Sequence, residues 1–580
     1  VALLPAAFWL LGLYVAAPAV RTSRNYDTAD RLRDALILGV AIPLGLGFVH
    51  LLYPIACWCA LALMLAIAYR RGPDARDISR EVSRPEPPPY VLIAALAAVS
   101  WPALVRPLLD GDSLSYHLPN AASWVQAHSL WTAATRYWWY PPASELFAGG
   151  LYAVGSPFAL PWSGLGALAL LGFRIRAWAR DAYGAPLLLA DALGAAAVTA
   201  YPLAIQAGTL QNDVWLAAFW LETLWSLGER ETAAAARSAA VTALLKPQGW
   251  ILSAIALLAY RAPAKVWLAT GAALAVWLVH DALLWKGAAL TPGGTMSADA
   301  LSSTIFAHGA PAFALLARVA LTESPFAAVA FCAALLGPAI ASNRRIGWAA
   351  FGSALLFFVL PFGYNTAVAQ LATGASLRFA APAIALGTVI LARPACRLAG
   401  ITAGVLIAAT LVGIWLILGI FWNDGSTHAA LPIAVFAAAV AAALHFRRIA
   451  WPYALAFGIA IVATTHFAAR HPLDYYDDAL HVGTISPGIY RWIETRHPAG
   501  IGGWGLRLGV VNILSPTTRT IDLSDFGPCA QARRDGVLLA AVAESDRTSD
   551  VNAQRLAVAR TCGHTIYADA IGVIASPAAP

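Results

Sequence analysis

Two carboxylates two residues apart, Asp110 and Asp112, follow directly on an apolar stretch of spanning length, and Tyr116 and His117 come one helical turn later. At the rim of a membrane span such a cluster offers a general base, a second acid to orient a hydroxyl, and an imidazole that can assist the base or hold a sugar. The plain alternatives are a helix N-cap for the acids and a buried, hydrogen-bonded ring for His117. The same loop is rich in Trp and Tyr (Trp124, Trp131, Tyr137, Trp138, Trp139 and Tyr140). Such residues form interfacial belts and also stack on pyranose faces, and both uses suit a loop lying on the membrane surface. Glu145, just after Tyr140-Pro141-Pro142, is read as a cap on an interfacial helix, and the His280-Asp281 pair as cavity lining or a helix-end charge.

The elements that must position these groups are membrane helices. Of 580 residues, 59% are hydrophobic and 12% charged, with a mean hydropathy of +0.65, whereas a soluble domain is roughly 45–50% apolar and 25% charged. Soluble enzymes, disordered chains and single-pass anchors are excluded. The net charge of +7 does not point to nucleic acid, because the arginines fall in short clusters between apolar runs, as in positive-inside loops. Placing Arg21, Arg24, Arg31 and Arg33, then Arg70 to Arg84, then Arg174, Arg176 and Arg180 inside leaves the segment 107–156 outside. Apolar runs near 2–20, 34–53, 54–69, 89–106, 157–174, 186–206, 213–228, 236–246, 249–260, 266–284, 325–341, 347–361, 378–393, 400–421, 430–446 and 450–468 give about 14–16 spans. An even number places both termini outside, with the first run read as a retained helix rather than a signal peptide. The runs 236–246 and 249–260 are short, and their break at Lys246-Pro247 predicts a half-membrane hairpin.

From about residue 472 the composition becomes mixed. Strand-length apolar stretches at Leu508–Leu514 and Gly536–Val542 alternate with helix-like stretches at Pro487–Arg496 and Ala553–Arg560, which predicts a small α/β domain. On the outer side, Cys529 and Cys562 are expected to pair as a disulfide, while Cys57, Cys59, Cys332 and Cys396 lie in or beside apolar helices.

Asp112 with Tyr116 four residues on, the segment D-S-L-S-Y-H-L-P, the Tyr-Pro-Pro leading into the next span, and the later Q-N-D ending at Asp213 resemble the GT-C superfamily of integral-membrane glycosyltransferases. The likeness is to a bacterial branch near the protein O-mannosyltransferases and lipid A aminoarabinose transferases, and it runs over roughly 89–390. It implies a polytopic α-helical fold with extra helices at 1–88, a catalytic module at 89–470 with first outer loop 107–156, and a periplasmic α/β domain at 471–580. It also implies transfer of a sugar from a polyprenyl-phosphate carrier to a glycan, lipid or protein acceptor on the outer face of a bacterial inner membrane, usually with inversion. By position, Asp112 matches the first-loop acid that acts as base or orients the acceptor, and Asp213 matches the second acid. Lys246 in A-L-L-K-P-Q-G matches a lysine ending a short helix, and Arg378 in S-L-R-F-A-A-P an Arg-aromatic element that binds the carrier phosphate. Relatives often carry Asp-Glu in the first loop; here Ser113 stands in place of the Glu, and Asp110 is the acid left to take its part.

Chemistry leads to the same assignment, since displacing a polyprenyl phosphate needs a base near the attacking hydroxyl and cations near the departing phosphate. Asp110, Tyr116, His117, Asp213, Lys246 and Arg378 are then substrate-binding residues around a catalytic Asp112. The Asp-Gly-Asp spacing with Asp213 also suits Mg²⁺ or Mn²⁺, but a monophosphate donor needs a metal less than a diphosphate donor does, and no cofactor is expected to be required. The rival reading is a transporter or flippase of lipid-linked sugars, against which no internal repeat is visible. A scaffold whose outer domain recruits partners is a second rival. No Walker loop, Rossmann glycine fingerprint or zinc spacing occurs.

Overall fold

The computed structural model describes residues 3–21, 26–71, 88–105, 107–132, 135, 140–284, 305–360, 375–422, 473, 487–523, 527–543 and 549–577. The expected spans 430–446 and 450–468, the residues Arg24, Arg76, Arg80 and Arg84, and the aromatics Tyr137, Trp138 and Trp139 lie outside them.

The chain opens with α1 (Leu4–Ala16), α2 (Thr28–Phe48), α3 (Pro54–Arg71) and α4 (Tyr90–Val105). Asp27 and Asp30 start α2 reciprocally, each side chain accepting from the other's backbone N–H, at 2.7 and 3.3 Å, which satisfies two of the orphan donors of the first turn. The first outer loop is no surface loop. It folds into a π-helical turn (Ser113–His117), α5 (Leu118–Gln126) and α6 (Ala143–Val154), and both helices are almost wholly buried. Apolar side chains explain this: Phe147 of α6 fills the place that a side chain at Gly39 of α2 would take.

Next come α7 (Trp162–Tyr183), α8 (Leu187–Val198), α9 (Asp213–Gly228), α10 (Thr232–Ala243), α11 (Pro247–Tyr260) and α12 (Ala264–Leu284). They are followed by α13 (Ile305–Glu323), α14 (Pro325–Leu335), α15 (Arg344–Val359), α16 (Ala381–Ala395) and α17 (Ala399–Trp422). Among the described residues, Pro54–Arg71, Pro157–Tyr183, Ala264–Leu284 and Leu377–Trp415 are long and apolar enough to cross a membrane. Leu187–Val198 with Tyr201–Gly208, bent by 66°, makes a fifth such segment if taken as one span. Shorter apolar helices include Leu4–Val20 and Pro247–Tyr260. Small residues let these helices approach closely. A Cβ on Gly387 of α16 would overlap the Ala330 carbonyl of α14, and one on Gly249 of α11 would overlap the Thr242 carbonyl of α10.

Several arginines read from the sequence as positive-inside charges are interior. Arg33 of α2 and Arg174 of α7 are fully buried. Arg174 binds Asp30 and Glu222 at 2.6 Å each, Arg33 binds Asp30 at 2.9 Å and Asp34 at 3.0 Å, and Arg176 binds Asp191 at 2.6 Å. Charges taken from water are tolerated only when paired in this way, and here the pairs tie α2, α7 and α9 together.

The C-terminal region consists of α18 (Pro487–Arg496), β1 (Gly500–Trp504), α19 (Leu508–Leu514), β2 (Arg519–Asp522), α20 (Pro528–Arg534), β3 (Leu538–Val542), α21 (Ser549–Thr561), β4 (Gly563–Ala568) and β5 (Gly572–Pro577). The sheet order is β2-β1-β3-β5-β4. β1 pairs parallel with β2 and β3, and β5 antiparallel with β3 and β4. Leu508–Leu514, expected as a strand, is helical. All seven of its residues are buried, and a short segment buried on every side carries no periodicity that separates strand from helix. Cys529 and Cys562 are joined by a disulfide that links α20 to the end of α21. Cys57, Cys59, Cys332 and Cys396 are free.

Candidate active site

The break between α10 and α11 places the lysine. Lys246 precedes Pro247, and the ring of a proline pushes the residue before it out of helical conformation; Lys246 is accordingly extended, with φ −171° and ψ 159°. Asn212 donates to the Leu245 carbonyl at 2.8 Å, which ties this break to the start of α9. There Asp213, the first residue of α9, meets the Lys246 ammonium at 2.5 Å. Arg378 lies in the 3₁₀ stretch Ala375–Ala380 that leads into α16. Its guanidinium reaches Asp112 at 2.6 Å and Asp213 at 3.6 Å.

Four groups far apart in sequence thus form one line of alternating charge, Asp112, Arg378, Asp213, Lys246. The two cations share the ring of Phe379, with Arg378 at 4.9 Å and Lys246 at 5.0 Å from its centroid, a face that attracts positive charge. The Asp112 side chain is 37% exposed and that of Asp213 only 4%. Asp112 is therefore the more accessible of the two carboxylates, while Asp213 pairs with both cations from within. Next to Asp213 and Phe379 a small cavity of mixed polarity lies between α9, α11, α15 and α16, lined by Leu216, Gln248, Leu252, Ser353, Leu356 and Pro382.

The turn that carries Asp112 is held residue by residue from different parts of the chain. Asp110 caps it, its Oδ1 accepting from the Ser113 N–H at 2.9 Å, and so points into the turn rather than along the line of charges. The Ser113 hydroxyl accepts from the Leu210 N–H at 2.8 Å. Gly509 of α19 packs so closely on Leu114 that a Cβ would lie 2.7 Å from its Cα. Ser115 bonds Arg507, Tyr116 packs edge-on to Tyr140 at 5.8 Å, and His117 Nδ1 lies 2.5 Å from Glu145. π turns bring in one extra residue per turn and recur at functional sites; here the turn lets neighbouring residues face different partners.

Electrostatics separates the two loop acids. Burial opposes the charged form of Asp112, but Arg378, then His117 and Lys246, outweigh it and hold the carboxyl below its ordinary value. Asp110 is pushed upward by burial, against the bonds from Ser113. Two adjacent carboxylates with opposite shifts are how acid and base roles become distinct.

Of the residues singled out from sequence, Asp112, Asp213, Lys246 and Arg378 come together directly, and Tyr116 and His117 flank them on the same turn. Trp124 and Trp131 do not line the site; they pack with Trp277 and with Phe48 and His280. His280 is taken up by Asp281 and the Leu130 carbonyl. Among the described residues no cluster of three or more His, Cys, Asp or Glu is placed to hold a metal, and the Arg378 guanidinium sits between Asp112 and Asp213. Sequence reasoning missed Glu145 as the partner of His117, Phe379 as the shared ring, and Arg507. The first two stand inside segments already singled out, whereas nothing in the sequence marks Arg507.

No family model matches the chain, and no curated protein matches it. Its structure is similar to the crystal structure of ArnT from Cupriavidus metallidurans bound to undecaprenyl phosphate, with a TM-score of 0.53 and 14% identity over 84% of this chain and 99% of that one. The likeness shows the fold alone: a helical bundle with a small C-terminal sheet region, shared with that structure.

Proposed function

We propose that the protein is a multi-pass membrane glycosyltransferase that moves a sugar from a polyprenyl-phosphate donor to a hydroxyl-bearing acceptor on the periplasmic face of a bacterial inner membrane. One observation carries this reading: an accessible carboxylate stands at the end of a line of charge that includes two cations, in a fold shared with a protein solved with undecaprenyl phosphate. The carrier phosphate lies on Arg378 and Lys246. The acceptor hydroxyl attacks the anomeric carbon, its proton passes to Asp112, and the bond from that carbon to the phosphate oxygen breaks on the opposite side, which inverts the anomeric centre. Arg378 and Lys246 stabilise the charge that collects on the departing phosphate, so that no metal is required. Asp213 keeps both cations in place, and His117, oriented by Glu145, supports the negative form of Asp112.

The test is titration of undecaprenyl phosphate into the purified full chain in lipid nanodiscs. Saturable binding is expected, weakened by about tenfold or more in Arg378→Gln, which loses a charge-assisted bond. No binding to the wild type would remove the lipid-phosphate donor from the account.

A further inference from the structure

The C-terminal α/β region rests on the turn that carries Asp112. The Gln126 amide at the end of α5 donates to the carbonyls of Pro516 and Thr518 at 2.7 and 3.0 Å, and the Tyr152 hydroxyl of α6 to those of Asn512 and Pro516 at 3.2 Å each. Beside the Gly111–Ser115 stretch it presents a cation. Arg507 is exposed, and one of its terminal nitrogens lies 2.5 Å from the Ser115 hydroxyl. The same nitrogen is 3.8 Å from the place a Cβ on Gly111 would occupy, one residue from Asp112.

Arg507 is held in readiness. Its backbone is bracketed by the buried Tyr490 hydroxyl, which accepts from its N–H at 3.0 Å and donates to its carbonyl at 3.4 Å. A guanidinium has five N–H donors, and Ser115 takes one. Arg378, Lys246, Arg33, Arg174 and Arg176 are all bound to carboxylates, whereas Arg507 makes no ion pair among the described residues. We propose that Arg507 is a specificity-determining residue that binds an anionic group, carboxylate or phosphate, on the acceptor, and that the C-terminal region thereby forms one wall of the acceptor site. Planar, two-pronged pairing with such an anion is what a guanidinium does best. The inference rests on the transferase reading, because it takes the open side of Asp112 as the acceptor's approach.

The experiment uses the full chain in nanodiscs with undecaprenyl phosphate at saturation, so that an anionic probe cannot occupy the donor position. Three probes are titrated: dodecyl β-glucoside, dodecyl β-glucuronide and dodecyl β-glucoside 6-phosphate. At least one anionic probe is expected to bind about tenfold tighter than the neutral one, the gain of a charge-assisted bond, and the two anionic arms tell carboxylate from phosphate. In Arg507→Gln that preference collapses while undecaprenyl phosphate binding is unchanged, and Arg507→Lys retains part of it. A wild type without preference, or a preference that survives Arg507→Gln, overturns the proposal. If undecaprenyl phosphate does not bind, the donor reading fails by itself, and the anionic preference is read in its absence.

Discussion

Replacing Asp112 by Asn is expected to move turnover and donor affinity in opposite directions. Asn keeps the shape of the side chain but can neither accept the proton nor carry its charge. Loss of a general base costs roughly 10²–10⁴ in rate. The same change frees Arg378, which Asp112 engages at 2.6 Å in the unloaded site. A charge pair about 4 Å apart is worth about 4 kcal/mol at an effective dielectric of 20. Because the Asp112 side chain is 37% exposed, solvent screening reduces that to about 1 kcal/mol, or roughly a fivefold gain in affinity for the carrier phosphate. Turnover by the purified protein and undecaprenyl phosphate titration, on one preparation, measure both. A variant that keeps most of the wild-type rate would remove Asp112 from the role of base. Weaker phosphate binding in Asp112→Asn would show that Asp112 holds Arg378 in place instead of competing for it.

Further outcomes follow from the same geometry. Asp112 acts as an anion and its pKa is held low chiefly by Arg378 against the effect of burial, so acceptor kcat/KM should be level above about pH 5. In Arg378→Gln at saturating donor, the acid limb of that profile moves to higher pH; an unmoved limb would mean that another group titrates. Chelation with EDTA should leave turnover unchanged, because Arg378 occupies the space between Asp112 and Asp213, and a loss restored by Mg²⁺ would contradict this. Arg174→Ala leaves Asp30 and Glu222 to share Arg33 as their one buried cation, at 2.9 and 3.7 Å, and should destabilise by about 3 kcal/mol, seen as a lower melting temperature in detergent; an unchanged melting temperature would show that the Arg174 pairs add no stability.

The fold was legible where burial follows one rule over a long stretch. Apolar runs such as 266–284 read directly as helices, because a membrane interior admits little else, and the helix break at Lys246 is visible because proline disfavours the helical conformation before it. Legibility failed where burial comes from several sides. Leu508–Leu514 lies against β2, α18 and the first loop together, so its sequence is apolar apart from the buried Asn512 and silent about its conformation. Arg174 looks like a loop charge in a linear reading, since the acids that neutralise it, Asp30 and Glu222, lie on other helices, and Arg33, although its acids Asp30 and Asp34 are close in sequence, is buried only by the helices packed around it. The Asp112 turn was conspicuous by its residue types, yet its partners Glu145, Phe379 and Arg507 are defined only by how distant segments fold together.

The central claim is that Asp112 takes the acceptor proton in transfer from a lipid-linked sugar. It is tested most directly by mass spectrometry of envelope glycans and polyprenyl-phosphate sugars from cells carrying the wild type, a deletion, or Asp112→Asn expressed at the wild-type level. The account predicts that one glycan loses a single sugar and the matching lipid-linked donor accumulates in both the deletion and Asp112→Asn. Unchanged glycans and donor pools in Asp112→Asn, beside altered ones in the deletion, would contradict it.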